Sequence, residues 1–262
     1  MKKKDEKSHF NDQWEQMLIH FKNFIRTGDQ EQLHLFRVQV KKLRAMLELF
    51  DVTSTKKQLS KDFKPVRKIF KHCGEIRSAY VNMKLWAQYH FTDEEFLMGQ
   101  LYEIEKGTNS VKELKNKYLK TIKAAHNDIA DDLKHIGNKD IVAFYKNKLD
   151  IIADLLSKLQ FGNDLHDARK QIKVLVYNRK IARSALEYSK IDISDEYLDK
   201  LQGLIGDWHD NILAMQLFSA PELNHKPIIT KIKRQDTRFK RTITALAHDF
   251  EKKAIVTEKQ KV

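Results

Sequence analysis

Apolar residues recur at steps of three and four along most of the chain, which is the spacing of one face of an α-helix. The clearest run is made of Leu33, Phe36, Val40, Leu43, Leu47 and Phe50. Only 8 glycines and 3 prolines occur among the 262 residues, so few positions are suited to ending a helix. The sequence therefore predicts an all-α fold made of long helices.

Caps and helix breakers divide this pattern into predicted helices at 9–27, 30–51, 57–90, 93–106, 109–136, 139–160, 163–190, 195–218 and 226–255. Gly28 and Gly137 stand at predicted helix ends. No segment shows the strict alternation of a strand, so no sheet is expected.

Two motifs occur twice at the same distance along the chain. Residues 33–44 align with 165–176, and residues 73–77 align with 205–209, both at an offset of 132, from 34 to 166 and from 74 to 206. Two motifs that share one offset indicate an internal duplication.

We therefore expect one domain over residues 1–262, made of two pseudo-symmetric four-helix bundles from an internal repeat. The N-terminal helical half covers 1–137 and the C-terminal helical half covers 138–262. The segment 93–106 is interpreted as an insertion in the first half.

A basic stripe borders the apolar face of the helix at 30–51. It consists of His34, Arg37, Lys41 and Arg44, which we call the first stripe. These residues share one helical face, about 100° from the apolar one. Cations at the edge of a core are costly unless an anion compensates them. The alternative interpretation is an ordinary solvated helix face.

The repeat places a second stripe on the helix at 163–190, consisting of His166, Arg169, Lys173 and Lys180. Val174 and Val176 stand where further cations would extend it. A solvated surface has no physical need to repeat the same cations at equivalent positions. The recurrence therefore favours an anion site shared by the two halves.

Other cations would complete a basic wall if their helices pack beside the stripes. The candidates are Lys71, Arg77, Arg234, Arg238 and Arg241. Arginine offers forked donors that match phosphate oxygens, and lysine offers a mobile point charge. Each of these cations alone is also consistent with a solvated face.

The segment Gly206–Asp210 and the pair His166-Asp167 supply two His-Asp pairs, as in metal-dependent phosphohydrolases. His209 aligns with Arg77, and arginine cannot be a metal ligand, so we predict no metal site and assign His209 to the anion site. The carboxylates Glu75, Asp207 and Asp210 are expected to pair with basic residues and orient them.

No other catalytic signature is present, neither a P-loop nor GxSxG nor HExxH. We therefore expect no catalytic residue, no cofactor and no enzymatic activity. The single cysteine, Cys73, excludes a disulfide within the chain and fits a reducing compartment. No stretch approaches the ~20 apolar residues of a membrane span, so a cytoplasmic location is expected.

The net charge points to polyanionic partners. The chain has 49 Lys and Arg against 36 Asp and Glu, a formal net charge of +13. An excess of this size attracts polyanions through steering and counterion release. Nucleic acid, anionic lipid and inorganic polyphosphate all remain open on charge alone.

The doubled motif resembles the CHAD family, the conserved histidine α-helical domain. The family pattern is His-x-x-Arg-x-x-x-Lys/Arg-x-x-Arg on a helix, followed by a Gly-x-x-Arg/His-Asp turn, and both occur twice. The first copy here is His34, Arg37, Lys41, Arg44, Gly74 and Arg77, and the second is His166, Arg169, Lys173, Gly206, His209 and Asp210. The resemblance spans essentially the whole chain.

This resemblance implies non-enzymatic binding of inorganic polyphosphate in a basic groove or pore between two helical bundles, and association with polyphosphate granules. Ser78 replaces the family's aspartate after Arg77, and the two valines interrupt the second stripe. The second half is therefore expected to hold fewer phosphates. The alternatives are a helical nucleic-acid-binding protein, although we expect only non-specific binding of nucleic acid, and a metal-dependent phosphohydrolase.

Overall fold

A computed structural model describes residues 3–53 and 58–256. The helices are α1 (Lys3–Thr27), α2 (Gln30–Phe50), α3 (Leu59–Asp62), α4 (Lys64–Gln88), α5 (Glu94–Glu113), α6 (Lys115–Asp132), α7 (Asn138–Lys158), α8 (Asn163–Tyr188), α9 (Asp195–Phe218), α10 (Lys226–Ala247) and α11 (Phe250–Ala254). A 3₁₀ turn at Asp51–Thr53 follows α2. The prediction of an all-α fold is confirmed.

The described residues divide into two compact units, with the boundary between Ile136 and Gly137. In the first unit α1 packs on α2, α2 on α4, and α4 on α5, while α6 lies against α1, α3, α4 and α5. In the second unit α7 packs on α8, α8 on α9, and α9 on α10. The described part of the first unit has five long helices, one more than the predicted four-helix bundle.

The predicted helix break near Gly107 is wrong. α5 runs through this residue to Glu113, and a Cβ on Gly107 would lie only 2.6 Å from Ile76 Cγ1. The glycine therefore permits the close approach of α5 to α4 and does not end a helix. α5 follows α4 as α10 follows α9, so the additional long helix is α6 and not the segment 93–106.

Two other predicted helices are interrupted. The predicted start at residue 57 lies outside the described residues. Phe63 separates α3 from α4, and Pro65 lies in the first turn of α4, where its missing N–H costs little. The last predicted helix ends at Ala247, and Asp249 adopts a left-handed conformation with φ 56° before α11 begins.

A short antiparallel ladder was not predicted. It joins β1 (Asp192–Ile193) to β2 (Ile255–Val256), and both strands belong to the second unit. Segments of two residues are too short to show alternation, so the sequence carries no signal for them.

The apolar face predicted for α2 is fully buried. All six residues, Leu33, Phe36, Val40, Leu43, Leu47 and Phe50, are at most 2% exposed. This burial fixes the rotation of α2 and places the first stripe at the border of the core. Among the described residues, none of the helices combines the length and apolarity that crossing a bilayer requires.

Candidate anion-binding site

Cations from α2 and α4 meet at the edge of the core of the first unit. His34, Arg37 and Arg77 are half-buried, while Lys41 and Lys84 are exposed. Burial lowers the pKa of His34, and the nearby charges of Arg77, Lys41 and Lys84 lower it further against the opposing effect of Glu31. We call His34, Arg37, Lys41, Arg77 and Lys84 the first cluster.

Arg37 is held by the backbone and the ring of α4. Its Nη1 donates a hydrogen bond to the Phe70 carbonyl, and its guanidinium carbon lies 3.9 Å from the centroid of the Phe70 ring. A Cβ on Gly74 would lie 3.2 Å from Nη1. Burial lowers the pKa of Arg37, the Cys73 thiol opposes this, and Arg77 lowers the pKa further.

Arg77 carries a buried donor with no acceptor. Its Nη1 is buried and has no hydrogen-bond partner among the described residues. The Tyr80 ring centroid lies 5.3 Å from the Arg77 guanidinium carbon and 5.0 Å from Lys84 Nζ. A buried donor without an acceptor costs about 1–3 kcal/mol, so an anionic oxygen at this position would be stabilising.

Two histidines stack in the second unit. The rings of His166 on α8 and His209 on α9 have centroids 4.8 Å apart and planes inclined by 22°. His166 Nδ1 is buried and has no hydrogen-bond partner in the described part of the chain. Burial lowers the pKa of His166, and nearby Lys170, His209 and Arg169 contribute in the same direction, opposed by Asp167.

Arg169 repeats the arrangement of Arg37. Its Nε donates to the Gln202 carbonyl at 3.0 Å, and a Cβ on Gly206 would lie 2.7 Å from its Nη2. Each arginine therefore donates to a carbonyl 33 residues further along the chain and passes over a glycine of the neighbouring helix.

Lys173 completes this group, which we call the second cluster: His166, Arg169, Lys173 and His209. Lys173 is half-buried, and its pKa is lowered by burial and then by Arg169, against the opposing charge of Asp210. Both clusters thus combine histidine, arginine and lysine at the border of a core.

Comparisons with known proteins identify the family and the fold. A family model described as CHAD domain matches residues 8–219, which is more than half of the chain. The chain belongs to the CHAD family. The crystal structure of the CHAD domain from the plant Ricinus communis is similar, with a TM-score of 0.65 and 16% sequence identity over 97% of this chain and 93% of that chain. At this identity the likeness supports the fold alone. No curated protein matches the chain.

The glycines of the CHAD motif do not form turns here. Gly74 lies inside α4 and Gly206 lies inside α9, as the helical periodicity predicted, so the turn that the family pattern implies is absent at both positions. Their role is steric, because the absent side chain leaves room for an arginine from the neighbouring helix.

Several predicted site residues lie outside the two clusters. The exposed ones are Arg44, Lys71, Lys180, Arg234, Arg238 and Arg241. The interactions that the structure shows for the second cluster come from α8 and α9 and not from α10. The contribution of the α10 arginines to a basic wall thus remains a prediction.

Lys71 lies at a concavity of mixed charge beside Arg37. The concavity has a volume of about 510 Å³ and lies between α4 and α5. Arg37 and Lys71 line it together with Glu75 and Glu103. The two carboxylates make this concavity less suited to a polyanion than the surface around His34.

The orienting role predicted for the carboxylates is wrong for two of the three. Glu75 and Asp207 are exposed, and neither forms an ion pair within the described residues. Backbone carbonyls orient the two arginines instead. Asp210 does contact the second cluster, since its Oδ1 lies 3.9 Å from His209 Nδ1 and its charge raises the pKa of Lys173.

The structure adds three residues that sequence reasoning missed: Tyr80, Lys84 and Tyr177. Lys84 stands two helical turns after Arg77 on the same face of α4, so the spacing could have revealed it. The Tyr177 ring centroid lies 6.0 Å from Lys173 Nζ. Burial raises the pKa of the Tyr177 hydroxyl, and Arg169 opposes the shift.

The side chains most suited to chelation or nucleophilic attack near the two clusters are His166, His209 and Cys73. Within residues 3–53 and 58–256, no three His, Cys, Asp or Glu side chains group in a way that could hold a metal ion. His166 and His209 present their ring faces to each other. Burial raises the pKa of Cys73 to about 12, so this thiol is protonated at neutral pH.

Proposed function

We propose that this CHAD protein binds inorganic polyphosphate through its two cationic clusters and catalyses no reaction on it. The observation that carries the proposal is a pair of buried nitrogens without hydrogen-bond partners among the described residues, Arg77 Nη1 in the first cluster and His166 Nδ1 in the second. Arg77 Nη1 is always a donor, and His166 Nδ1 is a donor whenever the ring is protonated. Phosphate oxygens are strong acceptors, and a hydrogen bond between a charged donor and an anion is about twice as strong as a neutral one.

The chemistry of the clusters suits a polyanion without bases. Nucleic-acid sites commonly stack bases on open aromatic rings. Here Arg37 lies over the Phe70 ring, and Arg77 and Lys84 both approach the Tyr80 ring. Because cations already contact these rings, the first cluster supports phosphate contacts better than base stacking.

We further propose a cytoplasmic location on polyphosphate granules, as the family resemblance implies. Release of counterions from the phosphate chain would supply much of the binding free energy. Binding should therefore weaken steeply as salt is raised.

The test of this function is a salt titration of binding to long-chain polyphosphate, with single-stranded RNA of matched phosphate number as competitor. We expect polyphosphate to bind and RNA to fail to displace it at equal phosphate concentration. Equal displacement would show that the net charge merely attracts any polyanion. Polyphosphate recovered with unchanged chain length would agree with the absence of catalysis.

Exposed lysines give a variant that leaves the core intact. Lys41→Glu combined with Lys84→Glu reverses two charges of the first cluster, and Lys117→Glu combined with Lys120→Glu on α6 changes the net charge equally. All four side chains are exposed. We expect at least about a tenfold loss of affinity in the first variant, or roughly 1.4 kcal/mol, and a much smaller loss in the control. Equal losses would refute the assigned site.

A further inference from the structure

The outer face of α5 exposes three neighbouring apolar side chains. Met98, Leu101 and Tyr102 are 64%, 41% and 60% exposed. Their spacing of three and four residues places them side by side on one helical face. Glu94 and Glu105 occupy the same face on either side of them. We call these five residues the α5 face.

The charge of this segment is opposite to that of the whole chain. Residues 94–105 include Glu94, Glu95, Glu103 and Glu105 but no lysine or arginine, whereas the chain carries a formal net charge of +13. The next residue, Lys106, has its Nζ 4.0 Å from Glu103 Oε1, which leaves Glu94 and Glu105 for other partners. A polyanion would be repelled here, so the α5 face does not belong to the proposed polyphosphate site. Contiguous exposed apolar groups rimmed by charge are typical of a protein interface.

The chain itself carries a complementary surface on α10. Arg234, Arg238 and Arg241 share one exposed face of that helix and form no ion pair within the described residues. The single acidic residue of α10, Asp236, is already engaged by Lys240 at 2.7 Å and by Trp208 Nε1 at 3.0 Å. These three arginines, which we call the α10 face, are therefore available for carboxylates from another molecule.

We propose that the α5 face docks on the α10 face of a second copy of this chain. Glu94 and Glu105 would pair with the arginines, whose aliphatic stems would cover Met98 and Leu101. Tyr102 already has Lys106 Nζ 5.6 Å from its ring centroid, so the partner's arginines would contact Met98 and Leu101 rather than this ring. Both faces are exposed to solvent, so a second molecule can reach each of them.

The contact is small and differs on its two sides. Three apolar side chains and a few ion pairs resemble a weak, transient interface more than a permanent one. Its ion pairs are exposed, so salt should weaken the association. Because the two faces are not identical, the contact is heterologous, and copies can join head to tail.

Sedimentation velocity without polyphosphate tests this docking. We expect the sedimentation coefficient of the unaltered chain to rise with protein concentration and to fall again as salt is added. Glu94→Arg combined with Glu105→Arg should weaken self-association by at least about tenfold. Arg234→Glu combined with Arg241→Glu should do the same.

Mixing the two charge-reversed proteins provides the decisive measurement. The reversed α5 face of one should bind the reversed α10 face of the other, so the mixture should associate although each protein alone does not. Asp128→Arg combined with Asp131→Arg, at exposed positions of α6, is the matched control and should leave self-association unchanged. Far-UV circular dichroism checks that each variant retains its helices.

The neutral variant Met98→Ser combined with Leu101→Ser separates the apolar contribution from the charges. We expect it also to lose self-association and to keep its affinity for polyphosphate. A monomeric unaltered chain at every concentration, or a mixture that fails to associate, would overturn the docking. Neither result bears on polyphosphate binding, which is measured separately.

Discussion

The guanidinium of Arg169 occupies the space that a side chain on Gly206 would need. A Cβ on that glycine would lie 2.7 Å from Nη2 and 3.1 Å from the guanidinium carbon. Arg37 and Gly74 stand in the same relationship in the first unit, at 3.2 Å. In each unit a glycine within one helix thus determines where an arginine from the neighbouring helix can lie.

Gly206→Ala should displace Arg169 from the Gln202 carbonyl. The methyl group cannot share the space of Nη2, and the flexible end of the arginine would move before the backbone does. We expect weaker polyphosphate binding and a loss of about 1–3 kcal/mol in the free energy of unfolding, because the Gln202 carbonyl loses its charged donor. Chemical denaturation and a binding titration measure the two effects.

Gly203→Ala is the control on the same helix. A Cβ on Gly203 would meet nothing within 4 Å. Alanine is favoured over glycine inside a helix by about 0.5–1 kcal/mol, so this variant should be more stable than the parent and should bind polyphosphate equally. If both variants bind equally well, Arg169 has no part in the site.

Gly107→Ala should destabilise the packing of α5 on α4. The added methyl would lie 2.6 Å from Ile76 Cγ1, and Ile76 is almost fully buried. Inserting a carbon into a packed core typically costs about 1–3 kcal/mol. Thermal unfolding followed by circular dichroism measures the change.

Gly99→Ala on the same helix has open space around its Cβ position and should slightly raise the melting temperature. An unchanged or higher melting temperature for Gly107→Ala would show that α5 does not approach α4 as closely as described.

Polyphosphate affinity should rise as the pH falls. In the free protein, burial and neighbouring cations lower the pKa values of His34 and His166 below 6.5. A bound phosphate chain raises both values, so the complex takes up protons. The affinity for polyphosphate begins to rise as the pH falls through the histidine pKa values of the complex. It levels off below the histidine pKa values of the free protein. Binding titrations between about pH 7.5 and 5.5 measure this effect. The affinity of the His34→Gln and His166→Gln variants should depend less on pH than that of the parent.

The stability of the free protein should change in the opposite direction. For a histidine whose folded-state pKa is lowered, the unfolded chain binds the proton more tightly than the folded one. The contribution of His166 to stability is therefore complete above pH 6.5 and is lost as pH falls through its folded-state pKa. On acidification, we expect the melting temperature of the parent to fall more than that of His166→Gln. Saturating polyphosphate should reduce this difference between the two proteins.

The sequence was informative wherever the structure depends on residues close together in the chain. The period of Leu33, Phe36 and Val40 predicted α2 and its buried face, because helical periodicity is a local property. The predicted helix break at Gly107 was wrong because the role of this glycine depends on a residue distant in the sequence. In a sequence, a glycine indicates a helix end. Only the close approach of Ile76 on α4 shows why Gly107 lies inside a helix.

Some features of the candidate site could likewise be predicted from the sequence, and others could not. The amino-acid sequence by itself determined the long helices, the apolar faces and the recurrence of His-x-x-Arg-x-x-x-Lys at an offset of 132 residues. Only the tertiary structure decided that Arg37 and Arg169 are held by carbonyls of neighbouring helices, that Lys84 joins the first cluster, and that Glu75 and Asp207 face solvent. These contacts depend on the rotation and register of packed helices, which the burial of whole apolar faces sets and which no local pattern along the chain encodes.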